Sequence, residues 1–563
     1  MKKKSSSSNI YNDSDFRVTL LYGITVLLFA IVASRIYTLA TGAESSALVL
    51  SGQYSRKEEF ALRDGYVLTR ELIPLGTDPS PVYIATINPE GFSGNPDAPE
   101  AIAKYAKDLT SAQIRRLIDK KRPFAIKVKV PIQSPYIKTF RYYDGTSRNG
   151  IHLVGYKSGG KGVSGLKKEF DGILNSANAN LSGNTSGRLY ASFEADASGR
   201  ILPDKKVRIV NDGFSQTEGV ITTICARLQA SVDKLADELL GSGAILVMGR
   251  DGDVLAMTSR PDFVPTSEEI LRLADSDRGE FVNRCTASFA PGSLFKSVTA
   301  AAALRKDLSY FEKLYTCTGS ITFGNTTHRC HNPFGHGELD MTEAFANSCN
   351  CYFIMLGSEI GIENVLDMAK RLGVGESRPL YGVGNFGSNL PPTEAHYPPS
   401  AVANCVIGQG EITLSPIEAA RLVYALSTGR LVFPYVVDGF LNDGKITRRT
   451  TSDESWENVL DEGVVEKMRL LFKACVSEGT GRTAAPSGHC TTAGGKTATA
   501  QTGRYVGNTE LNHLWFAGVY PIDNPEISVV VLKDYCMAQS ENTEWIFRAI
   551  CEEYELISEG GGE

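Results

Sequence analysis

The residues Phe289-Ala290-Pro291-Gly292-Ser293-Leu294-Phe295-Lys296 open an Ala-rich run from Ser297 to Leu304, and the reading of the whole chain turns on them. Pro and Gly ahead of the serine mark a helix start, so Ser293 is expected in the first turn with Lys296, three residues on, on the same face. A neutral lysine amine within reach of a hydroxyl activates a serine without histidine. Burial and a nearby second cation both lower a lysine pKa. S-x-x-K also occurs at Ser158, Ser164 and Ser231, so spacing alone does not single out Ser293.

Two further strings supply the context. Ser348-Cys349-Asn350 follows Glu343-Ala344-Phe345 in a segment expected to be helical. It offers a second hydroxyl to relay a proton, and an amide that donates to a substrate carbonyl while its oxygen accepts from the lysine. Gly494-Gly495-Lys496-Thr497-Ala498-Thr499-Ala500-Gln501 reads as a small-residue strand. Lys496 and Thr497 on such a strand hold a carboxylate, and its exposed edge pairs with an extended peptide.

Working outward, Cys225 to Leu240 is a predicted helix with Leu228, Val232, Leu235, Ala236 and Leu239 on one face. Ala244 to Met248 and Val254 to Thr258 flank an Asp-Gly turn and read as a β-hairpin. Leu514 to Tyr520 and Ile527 to Leu532 read as strands, and Glu541 to Ile557 as a closing helix. Strands at both ends with helices between predict an α/β (α+β) domain with one antiparallel sheet flanked by helices. Upstream, Pro99 to Lys121 reads as a helix pair, Phe124 to Tyr143 as β, and Lys157 to Gly165 as a loop. Gly155 to Lys161 matches G-x4-G-K, but Gly162 stands where a phosphate loop needs a hydroxyl for Mg²⁺, and that reading is discarded.

At the N-terminus Lys2, Lys3 and Lys4 precede an apolar stretch that carries no charge from Val18 to Ser34 and resumes past Arg35. This is about the ~20 residues a bilayer core requires. The excess of positive charge before the span predicts a cytoplasmic N-terminus and an external remainder, and a retained anchor rather than a cleaved signal peptide. The expected organisation is a cytoplasmic tail (1–17), a transmembrane anchor (18–41), a membrane-proximal pedestal (42–213) and a catalytic domain (214–558).

The 563 residues are 42% hydrophobic and 22% charged, ordinary for folded protein, and exclude a collagenous, coiled-coil or wholly disordered chain. With 58 Lys and Arg against 64 Asp and Glu, a net charge of -6 argues against nucleic acid as a partner. All 11 cysteines lie at or after Cys225. Cys317 and Cys330 are close enough in sequence to bridge a short loop. With His331 and His336 they also read as zinc ligands, but the spacing fits no C-x2-C or H-x3-H pattern, and no metal is expected.

S-x-x-K with S-D-N and K-T-G is the signature of penicillin-binding proteins and class A β-lactamases, and the three strings follow it in order as S-x-x-K, S-C-N and K-T-A. The chain resembles the class B penicillin-binding proteins, membrane-anchored peptidoglycan D,D-transpeptidases, over nearly its whole length. The matching stretches include Gly162-Val163-Ser164-Gly165-Leu166, Asn283-Arg284, His336-Gly337-Glu338-Leu339, Gly408-Gln409-Gly410, Glu478-Gly479-Thr480-Gly481 and Trp515-Phe516-Ala517-Gly518. Cys317 and Cys330 also recur in some members.

The resemblance implies Ser293 as the nucleophile on the penultimate D-Ala carbonyl of a stem peptide, Lys296 as its base, and Ser348 and Asn350 as proton relay and amide contact. It implies Lys496 and Thr497 as the carboxylate clamp, and the backbone N–H groups of Ser293 and Thr499 as an oxyanion hole worth ~3 to 4 kcal/mol per donor. Stem peptides and β-lactams are the expected ligands, a SEDS-family glycan polymerase the expected membrane partner, and no cofactor is implied. Ala498 departs from the usual Gly, and Lys167 from the usual Glu. The competing readings are an inactive membrane scaffold or receptor, and a D,D-carboxypeptidase or β-lactam hydrolase.

Overall fold

The computed structural model describes residues 11–41, 55–78, 80–144, 147–196, 198–202, 205–381, 383–448, 456–487, 492–537 and 542–560. The basic run Lys2 to Lys4 and the expected start of the pedestal at 42 lie outside them. The chain forms two compact units: residues 1–61, 83–140 and 188–212 in one, and 62–82, 141–187 and 213–563 in the other.

The first unit begins with a helix, Tyr11–Thr41, whose stretch Phe16–Thr38 is long and apolar enough to cross a membrane. Its folded part holds two three-stranded sheets, one ordered Phe124–Val128, Val82–Ile87, Ile137–Tyr142 and the other Ser55–Arg63, Gly187–Glu194, Arg208–Asp212. The expected helix pair is present as Ala98–Ala103 and Ser111–Asp119. Thr110 and Gln113 cap the second helix reciprocally, satisfying its first free N–H groups.

The second unit is built on a five-stranded antiparallel sheet in the order Val254–Arg260, Gly243–Gly249, Ile527–Cys536, Thr509–Tyr520, Gly494–Val506. Strand alternation sorts its side chains. Ile245, Val247, Val529 and Val531 face the helices Ala226–Leu239 and Asn542–Gly560, while Ala244, Leu246, Val530 and Leu532 face the larger core. That core surrounds the helix Pro416–Thr428, whose residues from Pro416 to Ser427 are all buried. Its ends carry the signals such a helix needs: Ser415 and Glu418 form a capping box, Pro416 starts the first turn, and Gly429 closes it at φ 76°.

The stretch that begins at Arg63 fastens the second unit internally. Arg63 donates to the carbonyls of Phe214 and Gly213, and Asp64 accepts from Lys157 Nζ at 2.9 Å and Ser176 N at 2.9 Å. A Cβ on Gly65 would meet Thr185 Oγ1 at 2.1 Å, so only glycine fits between them. Lys167 is half-buried beside Asp64 and Lys157, and desolvation holds its pKa below the ordinary lysine value.

A buried ion pair ties the loop before the S-x-x-K turn to the sheet: Arg284 Nε lies 3.1 Å from Asp534 and its guanidinium donates to the carbonyls of Arg278 and Gly279. Removing one partner strands the other charge in the interior. Arg284→Ala is therefore expected to lower the unfolding free energy by about 3–5 kcal/mol, read by urea denaturation of the purified chain.

Candidate active site

Ser293 lies in a short 3-10 turn, Gly292–Phe295, that runs into the helix Lys296–Lys306. Pro291 and Gly292 start this turn as the sequence predicts, and Gly292 also has a packing reason. Its φ is 51°, and a Cβ there would meet the Thr499 carbonyl oxygen at 2.5 Å. Gly408 makes the matching contact from the other side, because its own Cβ would lie 2.1 Å from Gly292 O, and Gly292 N donates to Gly408 O at 3.0 Å. The turn bearing Ser293 is thus wedged between the Gly408-Gln409-Gly410 loop and the strand bearing Lys496. Trp515 fixes its approach by donating from Nε1 to Ala290 O at 3.0 Å.

Lys296 is fully buried. Its Nζ donates to Asn350 Oδ1 at 2.6 Å and Ser348 O at 2.7 Å, and lies 3.2 Å from Ser348 Oγ. Burial pushes its pKa down to about 7, and the positive charge of Lys496 adds to the effect. A neutral amine has two N–H groups and one lone pair. Its two short contacts to carbonyl oxygens use the N–H groups and leave the lone pair for a hydroxyl proton.

Ser348-Cys349-Asn350 is not inside a helix as expected. It occupies the break between the helices Met341–Ala346 and Asn350–Ile360, with Ser348 at φ 52° and Cys349 as the N-cap of the second. A non-glycine residue in the left-handed region costs roughly 1–2 kcal/mol. The turn is held by Ser348 N to Phe345 O at 3.1 Å and Cys349 N to Ala344 O at 2.8 Å. The break leaves the Ser348 carbonyl, which an unbroken helix would have tied into its own ladder, free to meet the same amine as the Asn350 side-chain amide. Asn350 Nδ2 also donates to Arg329 O at 3.0 Å.

Among the described residues the Lys496 strand is the sheet's edge, paired on one side only, with Lys496 opposite Ala517 and Ala498 opposite Trp515. Lys496 is fully buried, its Nζ 3.0 Å from Thr497 O and 5.5 Å from the Phe345 ring centroid, and desolvation lowers its pKa. Thr497 and Thr499 are half-buried, while Ala498 points the other way and is 6% exposed. The sequence reading assigned no role to Thr480. Its Oγ1 lies 2.6 Å from Thr497 Oγ1, and its N–H donates to Ala346 O at 3.0 Å. Gly479 permits this approach, since a Cβ there would meet the same carbonyl at 2.3 Å.

Beside Ser348 the fold gathers Cys317, Cys330, His336 and Cys349, whose ligand atoms all lie within 4.8 Å of one another. The sequence grouping had His331 in place of Cys349. Linear spacing misses the set because its members sit on separate turns that meet only in the folded chain. All cysteines among the described residues are free thiols, including Cys317 and Cys330.

A serine–lysine pair, a Ser-x-Asn turn and a Lys-Thr edge strand, converging on a five-stranded antiparallel sheet, define a serine acyltransferase of the penicillin-binding type. The family model for the penicillin-binding protein transpeptidase domain matches residues 243–552, and the chain belongs to this family, among its class B members. It is similar to the stage V sporulation protein D of Bacillus subtilis, 26% identical over 94% of this chain and 82% of that protein. It is similar also to the peptidoglycan D,D-transpeptidase MrdA of Haemophilus influenzae, 25% identical over 75% of this chain and 70% of that protein. A chain from a solved peptidoglycan synthase complex that coordinates polymerization and crosslinking shares the fold, with TM-score 0.64 at 22% identity, covering 96% of this chain and 98% of that one.

Gly292→Ala adds a methyl where backbone already stands and forces a left-handed conformation. It is expected to destabilise the chain by roughly 2 kcal/mol or more, read as a lowered melting midpoint. Gly444→Ala, at φ 68° with nothing within 4 Å of the added atom, carries the conformational cost alone and should fall clearly short of it.

Proposed function

We propose that the chain is a peptidoglycan D,D-transpeptidase that crosslinks stem peptides through an acyl-enzyme on Ser293. The observation that carries this reading is the buried Lys296 amine, held by Asn350 and Ser348 and poised near neutrality. In the first half-reaction Ser293 Oγ attacks the penultimate D-Ala carbonyl as its proton passes to Lys296 Nζ. The oxyanion is received by the backbone N–H groups of Ser293 and Thr499, which the close packing of Gly292 against Thr499 brings near each other. Collapse breaks the amide bond, and the leaving D-Ala nitrogen takes the proton through Lys296 and Ser348. An amine from a second stem peptide then attacks the ester, passes its proton back along the same route, and regenerates Ser293 Oγ–H.

Lys496, Thr497 and Thr480 supply a cation and two hydroxyls beside one another, a fit for the terminal carboxylate. The free edge of the Lys496 strand provides backbone pairing for an extended donor peptide. β-Lactams acylate the same serine because their strained amide imitates D-Ala-D-Ala. The methyl of Ala498 faces inward, so it shapes ligand preference through packing against its neighbours.

The N-terminal helix serves as a single membrane anchor, with the N-terminus cytoplasmic and the catalytic unit outside. A SEDS-family glycan polymerase is the proposed membrane partner, supported by the likeness to a chain of a peptidoglycan synthase complex. No cofactor enters the reaction as written.

Labelling of the purified full-length chain by a fluorescent penicillin is expected to give a stable covalent adduct that Ser293→Ala and Lys296→Ala both abolish. An unlabelled, folded wild-type chain would remove the enzyme reading and favour a scaffold. With a stem-peptide donor, crosslinked product in the presence of an amine acceptor supports transpeptidation, and free acid alone would assign a hydrolase.

The acylation rate also depends on pH with a definite sign. Lys296 must be neutral to accept the proton and its pKa is about 7, so the rate constant should rise about tenfold from pH 6 to pH 8 and then level off. An ordinary lysine would show the rise some three units higher. The measurement is the second-order acylation rate constant across that range.

A further inference from the structure

We propose that Cys317, Cys330, His336 and Cys349 form a structural zinc site that fixes the Ser348-Cys349-Asn350 turn against the lobe between residues 314 and 340. Two of the distances match a tetrahedral ion, and all four ligand atoms lie within 4.8 Å of one another. Zn–S bonds of about 2.3 Å and Zn–N bonds of about 2.0–2.1 Å require roughly 3.8 Å between sulfurs and roughly 3.6 Å between sulfur and nitrogen. Cys330 Sγ lies 3.9 Å from Cys349 Sγ and 3.6 Å from His336 Nδ1. A disulfide requires sulfurs about 2.05 Å apart and would leave a third thiol and the imidazole without a role. Three thiolates and one imidazole form a closed four-coordinate set, the composition of structural rather than catalytic zinc.

The backbone is built to present these groups. Cys317 ends the strand Tyr315–Cys317 and pairs with Gly337, which places it beside His336, and His336 N donates to Cys317 O at 3.1 Å. Cys330 N donates to Gly319 O at 2.9 Å, which closes the intervening hairpin at its base. Gly319 and Gly335 cross there so closely that a Cβ on either would meet backbone, at 2.2 Å from Pro333 O and 2.4 Å from Cys317 O. Cys349 caps the next helix, its Sγ accepting from Tyr352 N at 3.5 Å, which fixes the direction of the sulfur.

The lobe also needs such a fastener. From Thr318 to Glu338 only Gly319 and Cys330 are buried, and Phe334 is 94% exposed, so this segment has almost no apolar core of its own. A small lobe in that condition is held by a metal or a covalent link. What it holds bears on the reaction, because Arg329 O accepts from Asn350 Nδ2 at 3.0 Å and Asn350 Oδ1 in turn holds Lys296. Cys349, between Ser348 and Asn350, is both a ligand and part of the motif. The zinc thereby positions the amine's partners without touching substrate.

The site itself stands independently of the proposed reaction, which enters only the last readout. The full-length chain, purified in detergent with Zn²⁺ supplied and chelators absent, is expected to carry about one zinc by elemental analysis. Replacement by Co²⁺ should give the intense visible bands of a tetrahedral ion and thiolate-to-cobalt charge transfer. His336→Gln and Cys330→Ser should each lower zinc affinity about tenfold or more, while Cys351→Ser and Cys405→Ser retain it. His336→Gln keeps the test open if removing Cys330 prevents folding, because His336 is only half-buried.

A folded wild-type chain that takes up no zinc, or alkylation mapping that finds Cys330 in a disulfide, overturns the proposal, as does loss of zinc in Cys351→Ser. Chelation should then slow penicillin acylation about tenfold and added zinc restore it, with Ser293→Ala still binding zinc. Acylation indifferent to zinc in a zinc-loaded chain overturns the positioning role. A zinc-loaded chain that is never acylated overturns the proposed reaction and leaves the site standing.

Discussion

A lysine amine without access to water is the constraint around which the catalytic unit is organised. An ammonium ion in that position is costly unless it is neutralised or surrounded by acceptors. Lys296 is met by both: its pKa is drawn down to about 7, and Asn350 Oδ1 and Ser348 O accept its protons. The backbone acceptor is not one that a regular helix leaves open. The Ser348 carbonyl is free because the chain breaks there at φ 52°, and the strain of that residue is the local cost of exposing it.

The same constraint explains the density of close backbone contacts around the site. Gly292 against Thr499, Gly408 against Gly292 and Gly479 against Ala346 are all approaches that a single methyl would prevent. They draw five separate chain segments together, each through backbone rather than side-chain packing. Loops that meet this way hold their spacing with little freedom to repack, which suits groups that must align to within a fraction of an ångström. Behind them the buried helix Pro416–Thr428 and the two-faced sheet provide a rigid support.

Electrostatics at the site is cooperative in one direction. Lys296 and Lys496 are both fully buried, and the Lys496 cation makes the Lys296 proton easier to lose. The two differ in surroundings. Lys296 has carbonyl acceptors that match a neutral amine, whereas Lys496 lies near two threonine hydroxyls and the face of Phe345, surroundings suited to an incoming anion. By virtue of their neighbours, two lysines of one sequence type are suited to different tasks, the proposed base and the proposed anion clamp.

Local pattern was sufficient for much of this. The Pro-Gly start before Ser293, the Asp-Gly hairpin, the alternation along the closing strands and the apolar N-terminal stretch are short-range signals, and each appears in the structure as expected. The three motifs were legible for the same reason, since residue type and order carry them. What the sequence did not disclose depends on contacts between distant segments. The helix break at Ser348, the Thr480 hydroxyl on Thr497 and the joining of Cys349 to Cys317, Cys330 and His336 have no periodic or spacing signal, because their partners are set by where strands and turns cross. Propensity and pattern act over a few residues, and only tertiary packing decides which turns share a point in space.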